Sequence, residues 1–299
     1  MGRNAAENDG VAPYDFGGNW TPSSHELARR LARKNRNKRN AIVAGVSSLL
    51  VLGSLALVIV TSPGWKLLSE TFFAWAYGVE VLPKIILGFG TNVVLTIIAG
   101  TSVAILGLTI ALIRTSRSPA LTPFRILATI YVDLFRGIPM LLVILLVGFG
   151  IPALRIQGLT NNVLILGTIA VVITYTAYVT EVIRSGILTV HPSQRAAARS
   201  LGLTHFQTLR HVILPQALRR VTPPLLNDLV ALIKDTGLVS ILGVTDAVRA
   251  AQIASSRTFN YTPYVMAAIV FLIVTIPLTR FTDRTLRKSI ERQNAQGNA

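Results

Sequence analysis

The chain has 299 residues, 51% of them hydrophobic and only 14% charged, whereas soluble domains carry about 25% charge. Its charges are clustered and the runs between them are long and apolar, which excludes a globular enzyme with a water-facing surface and defines an integral membrane protein. There is no cysteine, so disulfides, thiolate nucleophiles and cysteine-type zinc sites are excluded as well.

Residues 1–40 are polar and end in a basic run from Arg29 to Arg39. We expect them to form a basic cytoplasmic tail, disordered or only locally helical. Residues 41–61 are apolar and long enough to span a bilayer, with no A-x-A-type cleavage site, so they read as a retained first span rather than a secretory signal. The link that follows contains Trp65, Phe72, Phe73, Trp75 and Tyr77. Such aromatic residues favour the membrane interface, so the link reads either as lying along the outer surface or as a partly embedded helix, and 41–82 as a whole reads as an extra N-terminal span with an outer interfacial link.

Five further candidate spans lie at 85–113, 125–151, 163–183, 221–244 and 264–278. The second of these is interrupted by Asp133, Arg136 and Pro139, so its membrane portion should begin near Gly137. The fourth carries Asp228, Lys234 and Asp235. The expected fold is therefore all-α, a polytopic membrane bundle of about six transmembrane helices. Lys and Arg orient it: with the N-terminus inside, inner segments hold 23 of the 29 and outer segments five, leaving Lys234 within a span. Cytoplasmic loops carry this excess. Both termini, a short tail at 289–299 and the polar segment 186–220 are thus expected in the cytoplasm, and the net charge of +16 belongs to the membrane rather than to nucleic acid.

The polar segment is the most informative part of the chain. Pro192 can open a helix, because the first turn leaves its missing N–H unneeded. Gly202 can supply a left-handed stop. Thr204 and Gln207 stand at capping-box spacing to begin a second helix, whose Phe206, Leu209, Val212 and Ile213 form one apolar face up to Pro215. A DNA-binding helix-turn-helix shares Gln194, Ala198 and Gly202 at this spacing. The segment is too short to hold the third supporting helix of such a domain. An amphipathic loop lying on lipid headgroups is the plainer alternative.

The pattern Ala196-Ala197-Ala198-x3-Gly202-x9-Val212-x-Leu214-Pro215 resembles the Glu-Ala-Ala loop of bacterial ABC importer permeases, with Ala196 at the glutamate position and Val212 at the isoleucine. Asp133-Leu134-Phe135-Arg136-Gly137-Ile138-Pro139 is similar to a signature of the polar amino acid permeases. So are Ala177-Tyr178-x2-Glu181-x2-Arg184-x-Gly186-Ile187, Leu214-Pro215-Gln216-Ala217-Leu218-Arg219 and Leu232-Ile233-Lys234-Asp235-Thr236. The resemblance covers about 82–288. It implies a type I ABC importer-like fold, with a five-helix permease domain at 83–288 and one added N-terminal span, in the bacterial cytoplasmic membrane. It further implies a cytoplasmic ABC ATPase dimer, a second permease copy or paralogue, an extracytoplasmic solute-binding protein and a polar amino acid substrate. Arg195, Ala196, Ala197, Ala198, Gly202, Leu203, Thr204, Phe206, Leu214 and Pro215 would couple to the ATPase.

A charge at membrane depth is costly and needs a reason. Lys234 lies about 21 Å along a helix from Arg220, at 1.5 Å per residue. Lys234, Asp235 and Asp228 can line a path for a polar solute or pair within the bundle, and Tyr178 can line a path or pack between helices. Glu181 and Arg184, three apart, can form a local ion pair or an inner gate, and Arg136 can anchor at headgroups or complete that gate. No Gly-x4-Gly-Lys-Ser/Thr occurs, so this chain has no phosphate loop of that type. The chain itself is then non-catalytic and holds no cofactor, with ATP and Mg belonging to the ATPase partner. A transporter or channel working alone is the competing reading.

Overall fold

The computed structural model describes residues 23–116 and 118–297, with side chains described through Leu286. The first 22 residues of the basic tail, Arg117 and the last two residues of the C-terminal tail lie outside them. The described residues are helical, with no strand among them. The chain divides into two units, 1–66 and 67–299.

The described part of the first unit is built on α1 (Ser24–Thr61), a helix of 38 residues. Residues 24–40 form its first half. The Ser23 hydroxyl accepts from the Glu26 N–H and caps the helix, and Arg30 pairs with Glu26 one turn on. No glycine or proline interrupts 24–44, and the apolar helix that follows already meets the cost of nucleation. In the apolar half, Ser47, Ser54 and Thr61 bond to carbonyls three or four residues back, which satisfies their hydroxyls without water.

The second unit begins within α2 (Trp65–Phe72) and continues into α3 (Trp75–Thr115), 41 residues that contain Pro83. The helix thus starts ten residues before the expected span at 85. A 3₁₀ turn at Pro119–Leu121 leads into α4 (Thr122–Gly137), and α5 (Met140–Leu145) follows at an angle of 107°. The break falls at Ile138-Pro139, where proline disfavours helical geometry in the residue before it. A π-helical turn, Leu146–Gly150, joins α5 to α6 (Ile151–Ala153). Then come α7 (Val163–Thr189), α8 (Pro192–Ser200) and α9 (His205–Gln207). A second π-helical turn, Thr208–Ile213, runs directly into α10 (Leu214–Asp235). A 3₁₀ stretch, Thr236–Leu242, stops at Gly243 with φ 92°, and α11 (Ala247–Thr258) and α12 (Thr262–Gly297) complete the chain.

The main core packs α3, α5, α7 and α10 through Leu95, Ala99, Val103, Ile144, Ala170, Val171, Ile183 and Leu232. Small residues permit the close approach: a Cβ on Gly107 would meet Val179 Cγ1 at 2.8 Å, and one on Gly88 would meet the Asp246 backbone at 2.5 Å. A second cluster joins Val81, Ile85 and Phe89 of α3 to Ala247, Ala251 and Met266. Among the described residues four helices are long and apolar enough to cross a membrane, five if the bent pair counts as one span. The expected span at 221–244 is outside that number. It is the polar end of α10 plus the 3₁₀ stretch, and Asp228, Lys234 and Asp235 lower its hydropathy.

Candidate functional site

The segment between α7 and α10 forms a projecting knob. His191 Nδ1 accepts from the Ser193 N–H at 3.2 Å and caps α8, with Pro192 in its first turn. The helix closes on Gly202, φ 83°. The Leu203 N–H reaches back to the Ala198 carbonyl and the Gly202 N–H to that of Arg199, at 3.2 and 3.0 Å. This pair of bonds is a Schellman motif, which requires left-handed backbone at the turn residue. Nothing lies within 4 Å of a Cβ built on Gly202, so backbone conformation, not space, selects glycine. Thr204 and Gln207 then exchange both bonds of a capping box, at 2.9 and 3.3 Å.

The second helix departs from expectation at both ends of its apolar face. Leu209 and Val212 pack toward the core, where Ile213 is buried, whereas Phe206 is 67% exposed. The π-helical turn changes the angular spacing of side chains, so Phe206 leaves the face that Ile213 keeps. Nor does Pro215 end the helix. It sits in the first turn of α10, where a missing N–H is tolerated. Leu201 joins Phe206 outside, at 83% exposure. Ala196, Ala197 and Thr204 are also exposed, Arg195, Leu203 and Leu214 are half-buried, and Ala198 is buried. The knob therefore displays two large apolar side chains among Arg199, Arg210 and His205.

Two contacts fix its base. Arg220 Nη1 donates to the Thr189 carbonyl at 2.6 Å, joining the end of α7 to α10. Glu181 receives Arg184 Nε at 2.9 Å and Arg114 Nη1 at 2.8 Å. The pair read from the sequence is thus part of a three-charge cluster that ties α3 to α7. Arg114, 67 positions from Glu181, and Arg220 have no local signature and were missed. Arg136 is exposed at the α4–α5 bend, and its carbonyl accepts from Tyr178 Oη at 3.4 Å.

Deeper in the bundle, Tyr175 Oη donates to Asp235 Oδ2 at 2.7 Å, joining α7 to α10. The structure does not gather Asp228, Lys234 and Asp235 around one space. Tyr175 and Asp228 line a mostly apolar cavity of 820 Å³ between α3, α7 and α10. Lys234 and Asp235 line a separate groove of 610 Å³ with Ser240, Gln252 and Tyr264. Asp228 Oδ2 is buried without a hydrogen-bond partner among the described residues. The 3₁₀ stretch beyond Asp235 is held by Asn92, whose amide donates to Thr236 Oγ1 and Asp246 Oδ2, each at 3.1 Å. Asn92 Oδ1 in turn accepts from the Ala247 N–H at 3.1 Å. A lone asparagine in an apolar run was the only available signal for this network. Among the described residues no group of three His, Cys, Asp or Glu is placed to hold a metal ion.

A helical bundle with long apolar spans, a capped polar knob between two of its helices and isolated charges at depth defines a polytopic membrane protein. Residues 118–289 match the model of the family described as binding-protein-dependent transport system inner membrane component, and the chain belongs to that family. It is 34% identical over 208 residues to a probable glutamine ABC transporter permease of Bacillus subtilis, covering 68% of this chain and 93% of the relative. An arginine transport system permease of the same organism is 29% identical, covering 71% and 93%. A crystal structure of an amino acid ABC transporter with histidines superposes with TM-score 0.63 at 34% identity, covering 70% of this chain and 96% of that one. An inward-facing methionine ABC transporter shares the fold at TM-score 0.57 and 19% identity, covering 69% and 95%. The chain is a permease subunit with the type I importer fold.

Proposed function

We propose that this permease translocates a polar amino acid delivered by an extracytoplasmic solute-binding protein, and that ATP and Mg act on a separate cytoplasmic ATPase dimer. The observation that carries the reading is the knob at 192–215, a rigidly capped element that exposes Leu201 and Phe206. A membrane subunit lacking a phosphate loop can receive mechanical work only through such a surface. In this reading Arg195, Ala196, Ala197, Gly202, Leu203, Thr204, Phe206, Leu214 and Pro215 form the seat, with Ala198 anchoring it from inside. Ala196 is exposed, so the absent glutamate costs the chain no internal contact and alters only what the ATPase meets. The charge asymmetry supports placing the knob and both termini in the cytoplasm.

The substrate would pass along α7 and α10, as the core of a permease pair formed with a second copy or a paralogue. Both signs of charge occur there, in Asp228, Asp235 and Lys234, which suits a zwitterionic solute. The relatives named for glutamine and arginine support an amino acid. The Arg114–Glu181–Arg184 cluster, with Arg136 and Tyr178 nearby in the chain's inner half, would hold or gate the inner mouth. ATP binding would favour one of two rigid-body arrangements by differential affinity. The test is uptake of labelled amino acids into proteoliposomes holding the permease, ATPase and binding protein. ATP-dependent uptake that requires all three is expected, and uptake indifferent to omitting the ATPase would contradict the reading.

A further inference from the structure

α1 joins a basic stretch to an apolar one on a single uninterrupted helix. Between Arg39 and Lys66 there is no Asp, Glu, Lys or Arg, and the apolar stretch reaches a mean hydropathy of 2.5, the highest among the described spans. The helix lies outside the residues matched by the family model, 118–289, so the common work of the family gives it no role.

The basic stretch holds Arg29, Arg30, Arg33, Lys34, Arg36, Lys38 and Arg39, all of them exposed. Glu26 takes Arg30, and the other six enter no ion pair among the described residues. At about 100° per residue, Arg29, Arg33 and Arg36 fall on one side of the helix, Lys34 and Lys38 on the opposite side, and Arg39 between them. The cations therefore surround the axis. A helix that lies along a membrane buries one apolar face and keeps its cations on the other. From Ala32 to Asn40 this one has no large apolar residue to bury. It runs into the apolar stretch without a break, so it emerges along the axis of the span.

Distance from the apolar stretch sorts the cations. At 1.5 Å per residue, Arg36, Lys38 and Arg39 stand about 3–8 Å beyond Ala41, at the depth of a headgroup layer about 5–7 Å thick. Arg33 and Lys34 stand about 11–12 Å out, and their long stems can reach back. Arg29 and Arg30 stand about 17–18 Å out, beyond the roughly 8–10 Å over which surface charge acts.

We propose that this collar binds anionic phospholipid headgroups, of the phosphatidylglycerol type, around the end of the first span. Its ring shape selects the partner. A folded protein meets one side of a helix, whereas headgroups surround a span on every side. Their phosphate oxygens accept from guanidinium and ammonium groups alike. A zwitterionic lipid offers the same phosphate but brings its own cation, so the anionic lipid is preferred. Basic clusters of this size beside a span draw anionic lipid with a strength that each cation increases.

The chain has no cysteine, so N35C provides a single labelling point within the collar. The full-length permease, carrying a donor fluorophore there, is reconstituted in phosphatidylcholine vesicles with a trace of acceptor-labelled phosphatidylglycerol or, in parallel, acceptor-labelled phosphatidylcholine. Energy transfer should report about a five-fold local enrichment of phosphatidylglycerol over phosphatidylcholine at low salt. The enrichment should vanish at 1 M salt, where charges act over only about 3 Å. R36Q/K38Q/R39Q should abolish it, R36K/R39K should keep it, and R29Q/R30Q should lower it by less than about two-fold. Reaction of N35C with an impermeant thiol reagent checks that each variant is inserted. Should the triple variant insert poorly, K38Q and R39Q singly should each lower the enrichment about two-fold. Equal enrichment of the two lipids in the wild type would overturn the proposal, as would a preference that survives 1 M salt or the loss of these cations. Binding of a labelled oligonucleotide without any lipid preference would assign the cations to nucleic acid instead.

Discussion

Two helices at opposite ends of the second unit stop on a left-handed residue, α8 on Gly202 and α11 on Phe259. Both turns have positive φ, 83° at Gly202 and 53° at Phe259, but their chemistry is opposed. Glycine adopts this conformation freely but displays nothing, so the surface of the knob is made by its neighbours, Leu201 and Phe206. Phenylalanine accepts strain and displays a ring.

The sharpest break in this comparison is G202P. Proline cannot reach positive φ, and the variant should insert in the membrane yet lose ATP-driven uptake entirely; uptake at the wild-type level would show that the knob is not the coupling element. G202A should lose less. No neighbour obstructs its Cβ, so only the left-handed strain of about 1–2 kcal/mol remains, and G202N should recover part of the lost transport because asparagine tolerates that region. Proteolytic nicking of 201–208 would report the same ranking. T204A removes the capping box and should loosen α9 by about 1 kcal/mol, seen as faster cleavage of the knob with uptake reduced but present. The smallest effect is the stability change in F259G. Relief of strain is partly offset by the greater freedom of an unfolded glycine, so thermal unfolding should be unchanged or shifted up by no more than about 1 kcal/mol. A clear drop in midpoint would erase the distinction between the two turns.

The knob was the most legible part of the molecule. Its proline start, glycine stop and Thr204–Gln207 box are bonds between residues at most five apart, and each formed as its spacing required. The helix in residues 24–40 was less legible, because its signals, the Ser23 cap and the absence of any breaker, lie within a polar composition. Pro215 was misread because a π-helical turn precedes it, and no local pattern announces one. The deep charges were legible as unusual, but their grouping was not: Asp228 and Lys234, six apart on one helix, face different cavities.

By itself the sequence determined that this chain crosses a membrane and that a capped knob stands between two of its helices. These follow from composition and from short-range hydrogen bonds, which a linear pattern records. Only the tertiary structure decided that Glu181 would serve Arg114 as well as Arg184, that Tyr175 would hold Asp235, and that Asn92 would bind Asp246 from 154 positions away. Burying a polar group without a partner is costly, and in these three cases the partner stands on another element, brought close by packing that glycines such as Gly88 and Gly107 allow.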